Sequence, residues 1–289
     1  MKPAPFEYHA PTSLDEAATL VASLENVKLL AGGQSLVPML NFRYVIVDHI
    51  VALENIPDLS GVTVANGVMR IGAMTRQREL EYSELVAKHS PLLRAALAYT
   101  GHRQTRNRGT IGGSLCHADP SAEQPTVCAA QDAVVELHSV RGKRRVTFAE
   151  FGIDFMTTAT EPDEILSAVE LPLWQEDHGY GFHEFARRHG DFAIVASAAL
   201  LQLGSDGAIE RASVTLAGVG IAPLRMPAIE QLLVGKRPDP AVLRQAAALA
   251  ADIEPIADVH AGPDYRRHLA RVLTARALTD AARRAAGER

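Results

Sequence analysis

The chain has 289 residues, 47% of them hydrophobic and 22% charged, with a formal net charge of -5. That balance excludes the basic surface of a nucleic-acid or polyanion binder, and the length predicts two or three packed units. No apolar run approaches the length of a membrane span, and Met1 to Glu7 lacks the apolar core of a signal peptide, so a cytoplasmic location is expected.

In chain order, Ser13-Leu14-Asp15-Glu16 has the form of a capping box and predicts a helix to about Leu24. Val27 to Ala31 reads as a strand and Leu36 to Phe42 as a short helix. Further strands are predicted at 44–48 and 51–53, with a break at Pro57-Asp58. Val62 to Ile71 reads as a hairpin turning at Asn66-Gly67. Helices are predicted over 75–88 and 91–100, the second opened by Pro91. Ala133 to Leu137 and Ile165 to Leu171 read as strands, with a turn at Arg141 to Arg144. The polar stretch Leu173 to Gly181 predicts a domain boundary. Beyond it, strands are expected at 194–203 and 212–219, joined by a turn at Gly204 to Gly207. Two helices close the chain, one from Asp239-Pro240 to about Ile253 and one from Pro263-Asp264 to about Ala286.

The two cysteines, Cys116 and Cys128, fall short of the four thiolates of an iron–sulfur cluster or a Cys-only zinc site, and read as buried thiols. His9, His49, His89, His117 and His138 show no metal-ligand spacing along the chain, so no metal site is expected. A G-x-G-x-x-G fingerprint and a P-loop are both missing.

The chemistry concentrates in two glycine-rich loops. The first is Leu29-Leu30-Ala31-Gly32-Gly33-Gln34-Ser35-Leu36, and the second is Thr110-Ile111-Gly112-Gly113-Ser114. Paired glycines let backbone approach a bulky polar ligand, and successive N–H groups bind an anion without a lysine. The plain alternative for each is a strand-to-helix turn. Two such loops point to a long ligand with a central diphosphate, and so to a dinucleotide cofactor.

The resemblance to a known family is specific. Ala31 to Pro38 resembles the first FAD loop of the medium, flavin-binding subunit of molybdenum hydroxylases of the carbon monoxide dehydrogenase and xanthine dehydrogenase type. Gly101-His102-Arg103-Gln104 through Ser114 is similar to that subunit's second loop. Glu164-Ile165-Leu166, Arg187 to Ala193 and Tyr265 to Leu273 supply three further ordered matches.

The resemblance implies an α+β protein. Two FAD-binding subdomains of the vanillyl-alcohol oxidase and cresol methylhydroxylase type, 1–57 and 58–174, precede a C-terminal α+β domain with an antiparallel sheet, 175–289. It implies noncovalent FAD, a large partner carrying the molybdenum cofactor and a small partner carrying two [2Fe-2S] clusters, in a dimer of heterotrimers that delivers electrons to an external acceptor. It also implies roles for single residues. Glu123 would bind FAD hydroxyls, with Asp119 as competitor. The Leu166 backbone would face the flavin pyrimidine edge. His183 would lie near the flavin, and Phe192 over one flavin face. Arg106 and Arg108, read from their place beside the second loop and not from the resemblance, would offset phosphate charge or meet the iron–sulfur subunit, with no catalytic role assigned. A self-sufficient FAD oxidase or reductase of the same fold, and a flavin-free assembly subunit, stand as alternatives.

Overall fold

In the computed structural model, which describes residues 1–288, the first glycine loop leaves a small parallel sheet. This sheet has the order β1 (Glu7–His9), β3 (His49–Ala52), β2 (Val27–Leu30). Helix α1 (Leu14–Ser23) starts where expected, because the Ser13 hydroxyl accepts the Glu16 N–H at 3.2 Å. Helix α2 (Leu36–Asn41) follows the loop. The strand expected at 44–48 does not form. The Met39 carbonyl takes the N–H groups of both Tyr44 and Val45, and Arg43 adopts φ +56°, so the chain turns off the end of α2.

The middle unit is a five-stranded antiparallel sheet: β4 (Val62–Ala65), β5 (Val68–Gly72), β10 (Ile165–Pro172), β6 (Val134–Ser139) and β7 (Gly142–Thr147), in that order. A two-stranded ribbon, β8 (Gly152–Asp154) and β9 (Thr157–Thr158), precedes β10. The β4–β5 turn has Asn66 and Gly67 at φ +51° and +75°, as an Asn-Gly hairpin requires. The single helix expected over 75–88 is two, α3 (Gln77–Tyr82) and α4 (Glu84–His89). Ser83 is extended between them, and its hydroxyl caps α4 at the Val86 N–H. Then come α5 (Pro91–Leu97), α6 (Arg103–Arg108), α7 (Ile111–His117), α8 (Glu123–Ala130) and the short α9 (Phe148–Phe151).

The C-terminal sheet runs β11 (Gly179–Phe185), β12 (Val195–Leu203), β13 (Ile209–Ala217), β14 (Leu224–Arg225). Helices α10 (Pro227–Leu233), α11 (Pro240–Ala248) and α12 (Pro263–Ala285) cover one face. The boundary expected through Gly181 is overrun by β11. Gly179 and Gly181 are not loop glycines: a Cβ on either would collide with the Ala281 or Ala277 carbonyl of α12. Strand β12 is buried on both faces. Ala196, Ala198 and Leu200 join the core of the middle unit, while Val195, Ala199 and Leu201 join the core under α10 to α12. One strand therefore belongs to two cores and fixes the C-terminal unit against the middle one.

Candidate functional site

β2 and β3 are parallel neighbours, so the chain leaves both at one end of the sheet. β2 leads into Ala31–Ser35, and β3 leads to Glu54. A crevice beyond the carboxyl ends of parallel strands is a recurrent ligand site. Among the described residues, no backbone N–H from Gly32 to Leu36 donates to a protein acceptor. Gly33 lies at φ +74° within that run, an arrangement that turns successive amides toward one point and suits an anion. Ser35 stands at the N-cap of α2 with no capping bond, which leaves its hydroxyl free. Gln34 Nε2 folds back on the Gly32 carbonyl at 3.3 Å. The loop forms one wall of a cleft of about 370 Å³, completed by Leu30, Ala52, Glu54 and Arg108. That volume is in the range of small-molecule sites. Leu29 departs from the expectation: it packs into the core beneath α1. Leu36 likewise turns its side chain to the Leu40–Ile50 core and offers the cleft only its N–H.

The second loop is not a loop. Thr110 is the N-cap of α7, and Ile111 to Ser114 are its first turn. Its amides are spent. Ile111 N–H donates to the Thr75 carbonyl at 3.2 Å, Gly112 to the Ala73 carbonyl at 2.8 Å, Gly113 to Thr110 Oγ1 at 3.0 Å, and Ser114 to the Thr110 carbonyl at 3.1 Å. No run of free N–H groups remains for a phosphate. What this turn can offer is the half-buried Ser114 side chain and the remaining donor of the Thr110 hydroxyl.

The glycines serve contact between the two segments. A Cβ on Gly32 would stand 2.8 Å from Gly109 Cα, and one on Gly113 would stand 3.3 Å from Ala31 Cβ. A Cβ on Gly112 would stand 2.6 Å from Ala73 Cβ. Backbone approaches backbone here, where the sequence pattern suggested backbone approaching ligand.

Arg108 and Glu54 face each other across the cleft mouth, Arg108 Nη2 to Glu54 Oε2 at 3.4 Å. Arg76 donates from its guanidinium to the Arg108 carbonyl. Glu54 carries no motif. Its one signal is its place just past the end of a parallel strand. Arg106, by contrast, is structural: it pairs with Glu81 at 3.0 Å and donates to the Thr100 carbonyl at 3.0 Å.

Glu123 opens α8 and is 4% exposed, so it is no solvated surface carboxylate. Burial pushes it up to about 7. Burial likewise pushes Glu184 of β11 up to about 9, and the charge of Glu123 adds to the effect. Glu184 Oε2 has no hydrogen-bond partner. Asp119 is a turn residue, its carboxylate accepting the Ser121 N–H at 2.8 Å. Leu166 is buried in β10 at a bulge: it faces Leu137 of β6, the register slips at Ser167, and pairing with β5 begins only at Ala168. Phe192 is 57% exposed, so it is no core residue and its ring is open to a ligand or partner. Its loop is held beside α6, where a Cβ on Gly190 would meet the His102 ring at 2.6 Å. His183 does not join the glycine loops. Its Nε2 lies 3.0 Å from Asp280 Oδ2, in a separate shallow groove between β11 and α12. The cysteines are both free, but only Cys128 is buried; Cys116 lies on the outward side of α7.

Residues 4–174 match the family described as FAD binding domain in molybdopterin dehydrogenase, and residues 180–281 match the CO dehydrogenase flavoprotein C-terminal domain. The chain is 36% identical to the 6-hydroxypseudooxynicotine dehydrogenase complex subunit alpha of Paenarthrobacter nicotinovorans, over 99% of this chain and 97% of that one. It is 35% identical to the carbon monoxide dehydrogenase medium chain of Afipia carboxidovorans, over 99% of both. The solved structure of quinoline 2-oxidoreductase from Pseudomonas putida 86 superposes with a TM-score of 0.94 at 36% identity, again over 99% of both chains. With an FAD-binding domain, a matching C-terminal domain and end-to-end likeness to such subunits, the chain belongs to the FAD-binding medium subunits of the molybdenum hydroxylases, a family of oxidoreductases.

Proposed function

We propose that the chain holds FAD noncovalently as the electron-transfer subunit of a heterotrimeric molybdenum hydroxylase, in three parts: 1–57, 58–174 and 175–289. The observation that carries this reading is the row of unpaired amides from Gly32 to Leu36 beside Arg108. Free N–H groups, a nearby guanidinium and a cleft wall without side-chain bulk suit a diphosphate. When bound, FAD supplies a redox centre that takes electrons from the [2Fe-2S] clusters of a small subunit and passes them to an external acceptor.

The residues of this chain bind and orient. Gly32, Gly33, Gln34 and Ser35 hold the diphosphate through backbone, and the Ser35 hydroxyl adds a donor. Thr110 and Ser114 offer hydroxyls from the other side. Arg108 offsets the phosphate charge, while its contact with Glu54 keeps its head at the cleft mouth. Glu123 accepts from ligand hydroxyls. The backbone of Leu166, which lies past the end of the β5 pairing at Ala168 and Gly72, would face the ring edge. Phe192 covers an exposed ring face. No side chain of this chain acts as acid or base in substrate hydroxylation. The relatives' names point to different substrates, which fits a substrate site on the large, molybdenum-cofactor-bearing partner.

Among the described residues, no helix is long and apolar enough to cross a membrane. The test is a visible spectrum of the gently purified chain, followed by chromatography of the acid supernatant. Bands near about 370 and 450 nm with FAD released are expected of a noncovalent flavin. Flavin retained in the pellet would move the reading to a self-sufficient oxidase. No flavin in chain or complex would move it to an assembly subunit.

A further inference from the structure

β1 and β3 run parallel in a register that sets Glu7 beside His49 and His9 beside Val51. Residues two apart on a strand share a face, as do register partners on neighbouring strands. Glu7, His9 and His49 therefore project together from the small sheet, far apart in sequence but adjacent in space. His9 Nε2 lies 3.2 Å from His49 Nδ1. Glu7 Oε2 lies 3.5 Å from His49 Nδ1 and 4.0 Å from His9 Nε2. The rings are tilted at 45° with centroids 5.3 Å apart, so they do not stack; they meet through their nitrogens.

These three atoms form a triangle close to one face of a zinc coordination tetrahedron. Ligand bonds of about 2.0–2.1 Å put the atoms of such a face roughly 3.3–3.4 Å apart. The 3.2 Å side is already formed by the two half-buried imidazoles, whose strands hold them in place. The longer sides belong to Glu7, whose side chain is exposed and free to rotate inward. We propose that Glu7, His9 and His49 form a binding site for a divalent transition-metal ion of the zinc class, with a water in the fourth position. Two imidazoles and one carboxylate select zinc-like ions over calcium and magnesium, which prefer all-oxygen shells. Among the described residues, no other group of three or more such side chains converges in this way.

The site would act as a staple. β1 has only three residues and lies at the sheet edge, while β3 is the central strand that leads to Ala52 and Glu54 in the cleft wall. An ion bridging them ties the N-terminal strand to the strand that shapes the cleft. The inference does not rest on the flavin reading.

The test is a titration of the full chain, purified without a polyhistidine tag, with Co2+. Four-coordinate Co2+ absorbs strongly in the visible, on the long-wavelength side of any flavin absorption. One saturable equivalent is expected, displaced by Zn2+. Losing a direct ligand costs at least what losing an outer partner does, so His9→Gln and His49→Gln should each weaken Co2+ binding at least about 10–100-fold. His9→Gln changes a half-exposed edge-strand side chain and is checked by circular dichroism, so this comparison stands even if His49→Gln fails to fold. No saturable equivalent, or equal binding by the parent chain and His9→Gln, would overturn the proposal.

Discussion

Gly32 and Arg108 are locked together through their backbones. A Cβ on Gly32 would fall on the Arg108 carbonyl and stand 2.8 Å from Gly109 Cα. The same contact sets the Arg108 side chain at the mouth of the cleft, one wall of which is the Ala31–Gln34 loop. The first glycine loop and the segment before α7 are thus one structural unit, although Gly32 and Arg108 lie 76 positions apart in the chain.

Gly32→Ala should therefore destabilise the fold and empty the cleft at once. Overpacking of rigid backbone costs about 1–3 kcal/mol. Chemical denaturation should show that loss, and the flavin-to-protein ratio should fall with it. Parent-like stability in Gly32→Ala would mean that the two segments part without cost.

Arg108→Gln should act on ligand rather than fold. The Arg108–Glu54 pair is largely exposed, so its loss moves stability little. Removing a charge next to a diphosphate should cost roughly 1–2 kcal/mol of FAD binding, about five- to thirtyfold in Kd. Fluorescence titration of the apo-chain checks it. The salt dependence of FAD affinity should flatten in the variant.

Glu184 should make the protein less stable as pH rises. Its folded pKa lies near 9, above the ordinary carboxylate value, so between about 4.5 and 9 the unfolded chain has lost a proton that the folded chain keeps. The unfolded state then binds fewer protons, and unfolding becomes easier with each step upward in pH. Glu123, pushed up to about 7, adds the same slope over the lower part of the window. Glu184→Gln removes the larger share. Urea unfolding at pH 5 and pH 9 should show the variant gaining at least about 1 kcal/mol on the parent chain at the higher pH. A parent chain with a flat profile would contradict a protonated, half-buried Glu184.

Arg266 should be among the costliest single positions in the C-terminal unit. It is 2% exposed, donates to the Gly218 carbonyl at 2.6 Å and to the Ile194 carbonyl, and pairs with Asp258 at 2.7 Å. Arg266→Met would leave the buried Gly218 and Ile194 carbonyls without their donor, while Asp258, at the surface, keeps the N–H groups of His260 and Ala261. A buried acceptor left without its donor costs about 1–3 kcal/mol, so two of them should cost roughly 2–6 kcal/mol. Thermal unfolding followed by circular dichroism checks this, with Arg271→Met of the same helix as the exposed control.

Several elements were legible along the chain because their causes are local. The Ser13 cap, the Asn66-Gly67 hairpin and Pro91 at a helix start each act within a few residues. The first glycine loop was legible for the same reason: its free amides follow from a strand end, a left-handed glycine and a short helix in direct succession. The order of motifs along the chain was enough to reach the family and its flavin.

What only the tertiary structure decided was which groups remain unspent once distant segments meet. The amides of Ile111 to Ser114 look equivalent to those of Gly32 to Ser35 in sequence, yet the carbonyls of Ala73 and Thr75 and the Thr110 cap consume them. Gly179 and Gly181 look like a linker until α12 lies against them. Glu54 and Arg108 share a cleft, and His9 and His49 share a sheet face, through strand ends and register that have no trace in local spacing. Hydrogen bonds and backbone contacts saturate in space. A residue's local pattern shows what it can offer, and the fold decides whether anything is left to offer.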